Sequence, residues 1–187
     1  ESEEDCLGND EFWATEGING ATVSDIEIKI APQIYDGISS QAIHQILVQG
    51  CADMITEKTP NYQYAAANLL NFYLRKEVFG TSDNLPPLLD VIKSNVEHDI
   101  YDKEIFEHYS DAEIQKLDNV IKHRRDYNFV YAGLQQLIDK YLLKDRSTSR
   151  IYETPQYMFL LICMTLLAKE EDKLRRLRLI KDLYNDL

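Results

Sequence analysis

The sequence contains little of the two residues that make tight turns. Only 7 glycines and 5 prolines occur in 187 residues, and an architecture of many short strands joined by tight hairpins needs more of both. Hydrophobic residues make up 44% and charged residues 28% of the chain, which is ordinary for a globular protein. The sequence therefore predicts an all-α fold.

Cysteine and histidine are too few and too scattered for several kinds of site. The three cysteines, Cys6, Cys51 and Cys163, form no CxxC pair, which argues against a disulfide framework and favours a reducing compartment. The four histidines show no HxxxH spacing, so we predict no metal site. Cys51 and Cys163 lie on apolar stretches, and we interpret them as buried core thiols rather than nucleophiles. No pair of carboxylates stands in an apolar setting that predicts general acid catalysis.

Positive charge and long apolar runs are also scarce. Lys and Arg number 20 against 32 Asp and Glu, for a net charge of −12, and such a surface repels nucleic acid. The longest apolar run, residues 157–168, is shorter than the ~20 residues that span a bilayer. No signal peptide opens the sequence. These observations predict a cytoplasmic protein that binds neither nucleic acid nor membrane.

Capping patterns and apolar spacing locate the helices. Ser24-Asp25-Ile26-Glu27 and Ser110-Asp111-Ala112-Glu113 have the form of capping boxes, in which the first Ser would cap a helix. Ser39 or Ser40 caps a helix that contains an i, i+4 stripe from Ile43 to Ile55, and Thr154-Pro155 is typical of an N-cap followed by a first-turn proline. Further helices are predicted at residues 10–16, 60–80 and 88–96, and a short one from Lys103. Two more are indicated by apolar residues, one by Phe129, Leu134, Leu137 and Tyr141 and a final basic one by Leu174, Leu177, Ile180 and Tyr184.

Three segments interrupt this pattern. Residues 1–9 are acidic and aperiodic, and residues 81–87 contain Asn, Asp, Ser and two prolines, typical of a linker. A polar turn at residues 144–149 separates two apolar stretches, which predicts one small β-hairpin. The linker is the predicted domain boundary.

An ordered set of motifs resembles the large (alpha) subunit of class I ribonucleoside-diphosphate reductase of bacteria and bacteriophages, from about residue 12 onward. The segments that carry the resemblance are Trp13-Ala14-Thr15-Glu16-Gly17, Tyr35-Asp36-Gly37-Ile38, Pro60-Asn61-Tyr62-Gln63-Tyr64, Phe79-Gly80, Lys140-Tyr141-Leu142 and Ile151-Tyr152-Glu153-Thr154-Pro155-Gln156. No single motif is very specific, but their order is that of the family.

The resemblance implies two domains without chemistry of their own. Residues 1–80 are expected to form an ATP-cone-like helical unit, a regulatory module that lacks the family's amino-terminal strands. Residues 81–187 are expected to form an orthogonal helical bundle with the hairpin, which in the family leads into a catalytic α/β barrel absent here. The implied role is regulation and scaffolding of an enzyme that makes deoxyribonucleotides for DNA synthesis. The implied partners are the remainder of the large subunit, the small radical-generating subunit and a second copy of the chain.

The same resemblance implies an allosteric site for ATP or dATP at Ser40, His44 and Lys76, with no other cofactor. Ser40 and His44 are four residues apart and share a helix face, and a hydroxyl beside exposed helix amides suits a phosphate or ribose oxygen. In the alternative interpretation Ser40 is only a helix cap, and Arg75 and Lys76 only complement a helix C-terminus.

Two departures from the family pattern favour that alternative. Residues 1–11 contain no match to the family's Lys-Arg-Asp-Gly phosphate loop, and Asn68 stands where the family has Arg. They also leave open a second function, a reductase-derived binding or inhibitor protein that acts through protein contacts. The basic residues of the last helix are expected to form a solvated face or to contact the barrel. They are Lys173, Arg175, Arg176, Arg178 and Lys181.

Overall fold

The computed structural model describes Thr15 and residues 17–187. The helices within residues 17–187 are α1 (Val23–Ile30), α2 (Ser40–Ala52), α3 (Tyr62–Phe79), α4 (Leu88–Glu97), α5 (Ile105–His108), α6 (Asp111–Asp118), α7 (Tyr131–Lys140), α8 (Pro155–Leu166) and α9 (Lys173–Asp186). Short 3₁₀ helices occupy Ala31–Gln33 and His123–Asn128. The predicted tail at residues 1–9 and, apart from Thr15, the predicted helix at residues 10–16 lie outside the described residues. The all-α prediction is confirmed by the helical content and by the family comparison below.

The predicted β-hairpin is reduced to one antiparallel bridge between Lys144 and Ile151. The Tyr152 N–H donates to the Leu143 carbonyl at 3.1 Å, which continues the pairing for one more residue. The carboxylate of Asp145 accepts the backbone N–H of Ser147 and closes the turn. Within residues 17–187 no strand extends beyond this bridge.

The capping prediction at Ser24 is wrong by two residues, although the helix itself is present. Helix α1 is capped by Thr22, whose hydroxyl accepts the N–H of Asp25 at 3.2 Å and donates to its carboxylate at 2.7 Å. The Tyr62 hydroxyl donates to the same carboxylate at 3.0 Å and accepts the Thr22 N–H at 3.2 Å. This tertiary support from α3 fixes the helix start at Thr22 rather than at Ser24.

Three other predicted helix starts agree with the structure, whereas α3 begins at Tyr62 rather than Pro60 and α5 at Ile105 rather than Lys103. Ser39 caps α2 and accepts the Ala42 N–H at 3.2 Å. Ser110 and Glu113 form the predicted capping box at α6. Thr154 occupies the N-cap position of α8 and Pro155 its first turn, but the Thr154 hydroxyl makes no capping hydrogen bond.

The chain forms two compact units, each discontinuous in sequence. Among the described residues, one comprises Thr15, residues 17–74 and residues 126–141, and the other comprises residues 75–125 and 142–187. This structural clustering does not test the functional division predicted between residues 80 and 81, which stays a prediction.

The core of the first unit joins α1, α2 and the first part of α3. Ile26 and Ile30 of α1 are buried, whereas Ile28 is 75% exposed, as the helical period requires. Cys51 of α2 is fully buried. The remaining fully buried large side chains of this core are Leu47 and Leu69, with Tyr62 at 1% exposure.

The core of the second unit joins α4, α6, α8 and α9. Leu88, Ile92, Ile114, Tyr157, Leu160 and Ile180 are fully buried in this core. The Asn95 amide of α4 donates to the Tyr152 carbonyl at 3.2 Å and connects this core to the bridged turn. None of the helices among the described residues is long and apolar enough to cross a bilayer.

Two glycines in helix interiors are expected to respond oppositely to alanine. A Cβ on Gly50 of α2 would lie 2.6 Å from the Cγ2 of Ile30, a buried β-branched side chain with little freedom to move. A Cβ on Gly133 of α7 would meet Val130 at an ordinary 3.7 Å. We expect Gly50→Ala to lower the free energy of unfolding by about 1–3 kcal/mol, and Gly133→Ala to raise it by about 0.5–1 kcal/mol through helix propensity. Urea denaturation of both variants measures this, and equal effects of the same sign would contradict the packing argument.

Candidate functional site

The predicted nucleotide-binding residues Ser40 and His44 lie on the first turns of α2. Ser39, not Ser40, is the N-cap, so the interpretation of Ser40 as a helix cap is wrong. The Ser40 side chain is exposed and forms no hydrogen bond with any described residue. Its hydroxyl therefore stands beside the first-turn amides of α2 and is accessible to an acceptor or donor from solution.

His44 is held by an aromatic partner that the sequence analysis did not connect to it. Its ring stacks on Tyr73 of α3 with centroids 3.7 Å apart and an interplanar angle of 18°. The Phe72 ring meets Tyr73 edge-on at 5.4 Å. A stacked, half-buried imidazole has a fixed orientation, which is what a side chain that contacts a base or a sugar requires.

The three predicted residues are divided between the two compact units. Ser40 and His44 belong to the first compact unit, and Lys76 belongs to the second. Lys76 is exposed near the carboxyl end of α3, three residues after Tyr73. Its neighbour Arg75 does more than complement a helix terminus, because it is buried and its guanidinium donates to the His123 carbonyl at 2.9 Å.

A buried ionic centre in the second unit was missed by the sequence analysis. Arg176, assigned there to a solvated face, is only 5% exposed. Its guanidinium donates to the Glu113 carboxylate at 3.0 Å and to the His108 carbonyl at 2.8 Å, and it lies 4.4 Å from the centroid of the Tyr109 ring. The same Glu113 belongs to the capping box of α6. One carboxylate thus connects the start of α6 to α9.

The surroundings of Glu113 keep it ionised. Burial alone raises the pKa of a carboxyl group. Here hydrogen bonds outweigh the effect of burial on the pKa. They come from the Ser110 N–H at 3.0 Å, the Ser110 hydroxyl at 2.7 Å and the Arg176 guanidinium, and the Lys173 ammonium at 4.0 Å adds to their effect. Together they lower the pKa of Glu113 to about 2.

The pKa of Glu153, at the base of the bridged turn, is shifted in the opposite direction from that of Glu113. It is 5% exposed, and its carboxylate accepts the Tyr101 hydroxyl at 2.8 Å and the Leu143 N–H at 2.9 Å. Burial raises the pKa of Glu153 because these two hydrogen bonds compensate only in part. The carboxylate fastens the turn to the segment that follows α4, which is a structural role.

His123 lies between α6 and α7, with its ring centroid 5.0 Å from that of Tyr157. Burial, and to a lesser extent the Arg75 charge, lower the pKa of His123 to about 4. The unfolded chain binds this proton more tightly, so the contribution of His123 to stability is complete above about pH 6.5 and is lost as the pH falls toward 4.

We therefore expect His123→Gln to lose less stability than the unaltered chain between pH 6.5 and 4. Urea denaturation at a series of pH values measures the slope, and His98→Gln is the matched control for removal of an exposed histidine. An unchanged slope in His123→Gln would contradict the assignment to His123.

A thiol or metal site among the described residues would draw on their cysteines and acidic groups. Cys51 and Cys163 are fully buried, and burial raises the pKa of the Cys163 thiol. Among residues 17–187 and Thr15, no group of three or more His, Cys, Asp or Glu side chains is placed to bind a metal ion.

Comparison with known proteins gives these observations a context. Residues 127–187 match the family described as "Ribonucleotide reductase, all-alpha domain". The ribonucleoside-diphosphate reductase subunit alpha of Buchnera aphidicola (Schizaphis graminum) is 39% identical over 173 residues, which are 92% of this chain and 22% of the relative. The chain belongs to the ribonucleoside-diphosphate reductase alpha-subunit family.

Other alpha subunits show similar likeness. Subunit alpha of ribonucleoside-diphosphate reductase 1 from Escherichia coli K12 is 36% identical over 92% of this chain and 22% of its own length. The phage T4 subunit is 40% identical over 82% of the chain and 20% of its own length. The chain thus spans about a fifth of the length of these alpha-subunit relatives. The region matched to the all-alpha domain includes α7, α8, α9 and the Arg176 end of the ionic centre.

Proposed function

We propose that this chain forms a regulatory and scaffold part of a ribonucleoside-diphosphate reductase alpha subunit and carries out no chemistry itself. The observation that carries the proposal is the similarity to alpha subunits over 92% of the chain. The buried state of Cys51 and Cys163 supports the non-catalytic role, because a buried neutral thiol is a poor nucleophile.

We propose that the regulatory ligand is ATP or dATP, bound through Ser40, His44 and Lys76. The exposed Ser40 hydroxyl at the start of α2 supports this, since helix amides and a hydroxyl favour an anion. The stacked His44–Tyr73 pair supports an oriented contact with the nucleoside.

Calorimetric titration with ATP and with dATP tests the nucleotide site. Ser40→Ala and Lys76→Ala should each weaken binding severalfold, because each removes a hydrogen-bond or charge partner of the ligand. Ser24→Ala and Lys29→Ala, at exposed positions of α1, are the matched controls. Absence of heat at high nucleotide concentration would overturn this part of the proposal and leave the scaffold role standing.

We propose that the exposed apolar side chains of α8 dock onto the remainder of the alpha subunit. Ile162 is 43% exposed and Leu166, one turn later on the same helix, is 69% exposed. Neighbouring exposed apolar residues of this kind are typical of protein contact surfaces.

Complementation tests the scaffold role. The chain is mixed with a polypeptide that holds the part of the Escherichia coli alpha subunit it does not cover, together with the small subunit, and reduction of ribonucleoside diphosphates is assayed. We expect activity that neither polypeptide shows alone, and a loss of it in Ile162→Glu/Leu166→Glu. Ile28→Glu, 75% exposed in the first unit, is the control. Persistent inactivity would count against the scaffold role.

A second function is a reductase-derived protein that binds or inhibits an intact reductase. Its support is the missing phosphate-loop motif in residues 1–11. Addition of the chain to a complete bacterial reductase discriminates the two functions. A dose-dependent fall in activity favours inhibition, and unchanged activity favours the scaffold role.

A further inference from the structure

The positive charges of α9 fall into two groups with different surroundings. Arg176 is buried against Glu113, Lys173 lies 4.0 Å from the same carboxylate, and the Arg175 guanidinium lies 3.6 Å from Glu170. Arg178 and Lys181 are exposed, and neither forms an ion pair with any described residue. The first group is neutralised within the chain and the second is not.

A third cation joins the second group from outside the helix. Lys122, in the segment after α6, donates through its ammonium to the Asn185 Oδ1 at 2.8 Å. Asn185 is one turn from Lys181 and donates to its carbonyl at 2.9 Å. Lys122 also forms no ion pair with a carboxylate of the described residues. We name Lys122, Arg178 and Lys181 the basic patch.

An apolar side chain extends the same surface. Leu174 is four residues before Arg178 and seven before Lys181, so the three side chains form one stripe along the helix. Leu174 is 79% exposed, the most exposed large hydrophobic residue described. The stripe therefore offers one apolar contact followed by two cations, with the third cation beside its end.

The charges of the patch oppose each other within the folded chain. Residues three and four apart on a helix are neighbours, and like charges there are destabilising. The chain has twelve more acidic than basic residues, yet none of the described carboxylates pairs with these three cations. These three exposed cations are therefore available to a negatively charged partner.

The shape and chemistry of the surface indicate which partner that is. Leu174, Arg178 and Lys181 are exposed along one face of a single helix, whereas a site for a small nucleotide is concave. The overall charge of −12 repels nucleic acid. An exposed leucine in line with the cations fits a segment that carries an apolar side chain beside carboxylates, and amphipathic helices provide both at i, i+3 and i+4 spacing.

We propose that the basic patch and Leu174 bind an acidic amphipathic segment of another protein. Its carboxylates contact Lys122, Arg178 and Lys181, and one of its apolar side chains packs on Leu174. The proposal uses none of the residues proposed to bind the nucleotide and neither Ile162 nor Leu166, so the inference stands independently of the proposed function.

Fluorescence anisotropy with a labelled synthetic peptide tests the proposal. The peptide is a short helix-forming sequence with glutamates on one flank of a leucine stripe, and a second peptide has glutamine at every glutamate. We expect the glutamate peptide to bind in low salt and the glutamine peptide to bind at least about tenfold more weakly. Arg178→Glu/Lys181→Glu should weaken binding of the glutamate peptide by at least about tenfold, since two attractive contacts become repulsive. Leu174→Ala should weaken it severalfold.

Control variants and competing ligands decide between outcomes. Lys58→Glu and Lys103→Glu change equally exposed cations outside the patch and should leave binding unchanged. Equal weakening by these controls would indicate an effect of net charge alone and overturn the proposal. Tighter binding of a single-stranded oligonucleotide than of the glutamate peptide would also overturn it. Self-association in sedimentation runs that Arg178→Glu/Lys181→Glu abolishes would assign the surface to a second copy and overturn the proposed partner.

Discussion

Replacement of Arg176 by methionine is expected to lower the free energy of unfolding by about 3–5 kcal/mol. The substitution keeps most of the apolar stem but removes the guanidinium that pairs with Glu113, donates to the His108 carbonyl and covers the Tyr109 ring. Glu113 is 7% exposed, so its carboxylate would remain buried without its nearest positive charge. Chemical denaturation followed by circular dichroism at neutral pH measures the loss.

Two further variants isolate the ion pair. Arg175→Met removes the neighbouring guanidinium, whose side chain is 59% exposed, and should change stability by less than about 1 kcal/mol. Arg176→Met/Glu113→Gln removes both charges. It should lose less unfolding free energy than the sum of the losses measured for Arg176→Met and Glu113→Gln separately. Strictly additive effects would show that the two side chains do not interact as the 3.0 Å contact indicates.

Replacement of Tyr157 by alanine is expected to cost about 3–5 kcal/mol of unfolding free energy. Tyr157 is fully buried in α8, with its ring against those of Phe79 at 5.4 Å and His123 at 5.0 Å. Its hydroxyl donates to the Pro86 carbonyl at 2.5 Å and so connects the segment at residues 81–87 to α8 within the second unit. Loss of the ring leaves a cavity beside the Phe79 and His123 rings.

The hydroxyl and the ring of Tyr157 can be separated experimentally. Tyr157→Phe keeps the ring and should cost about 0.5–1.5 kcal/mol, the net contribution of one hydrogen bond. Tyr141→Ala, at a residue that is 61% exposed, is the control and should have little effect. A loss in Tyr157→Phe as large as in Tyr157→Ala would contradict the cavity explanation.

Local sequence patterns were sufficient to predict most helices, because their signals act over a few residues. Ser110 and Glu113 are three apart and form the expected box without help from elsewhere. The same pattern at Ser24 failed because Tyr62, far along the chain, supports Thr22 and Asp25 instead. A tertiary hydrogen bond of this kind has no local signature.

The position of Arg176 could not be predicted because the sequence offers two equivalent basic neighbours. Arg175 and Arg176 differ by 100° around α9, and only the packing of α9 against α6 decides which one is buried. Burial of an arginine is unusual unless it is paired, and the carboxylate that pairs with it stands far away in sequence. The apolar period at Ile180 and Tyr184 pointed to the correct helix face but not to an ion pair within it.

The proposed nucleotide residues were chosen from the resemblance to the reductase family, and the structure added the side chains that surround them. The i, i+4 relation of Ser40 and His44 followed from helix geometry, and the Tyr73 ring that stacks on His44 did not. The sequence did contain a hint that Tyr73 lies near the proposed site, because it precedes Lys76 by three residues on the same predicted helix. Aromatic residues in a helix so rich in them, however, are most simply interpreted as core.

The discontinuity of the first unit has a consequence for synthesis on the ribosome. Its early part ends at residue 74, and its last part, residues 126–141, contains Tyr131, which packs on the core around Ile26 and Leu47. A nascent chain that stops anywhere between these stretches therefore lacks α7 while the rest of that core has already emerged. The apolar surface of that core stays exposed until translation has passed residue 141. During this interval the nascent chain has the greatest need of a chaperone.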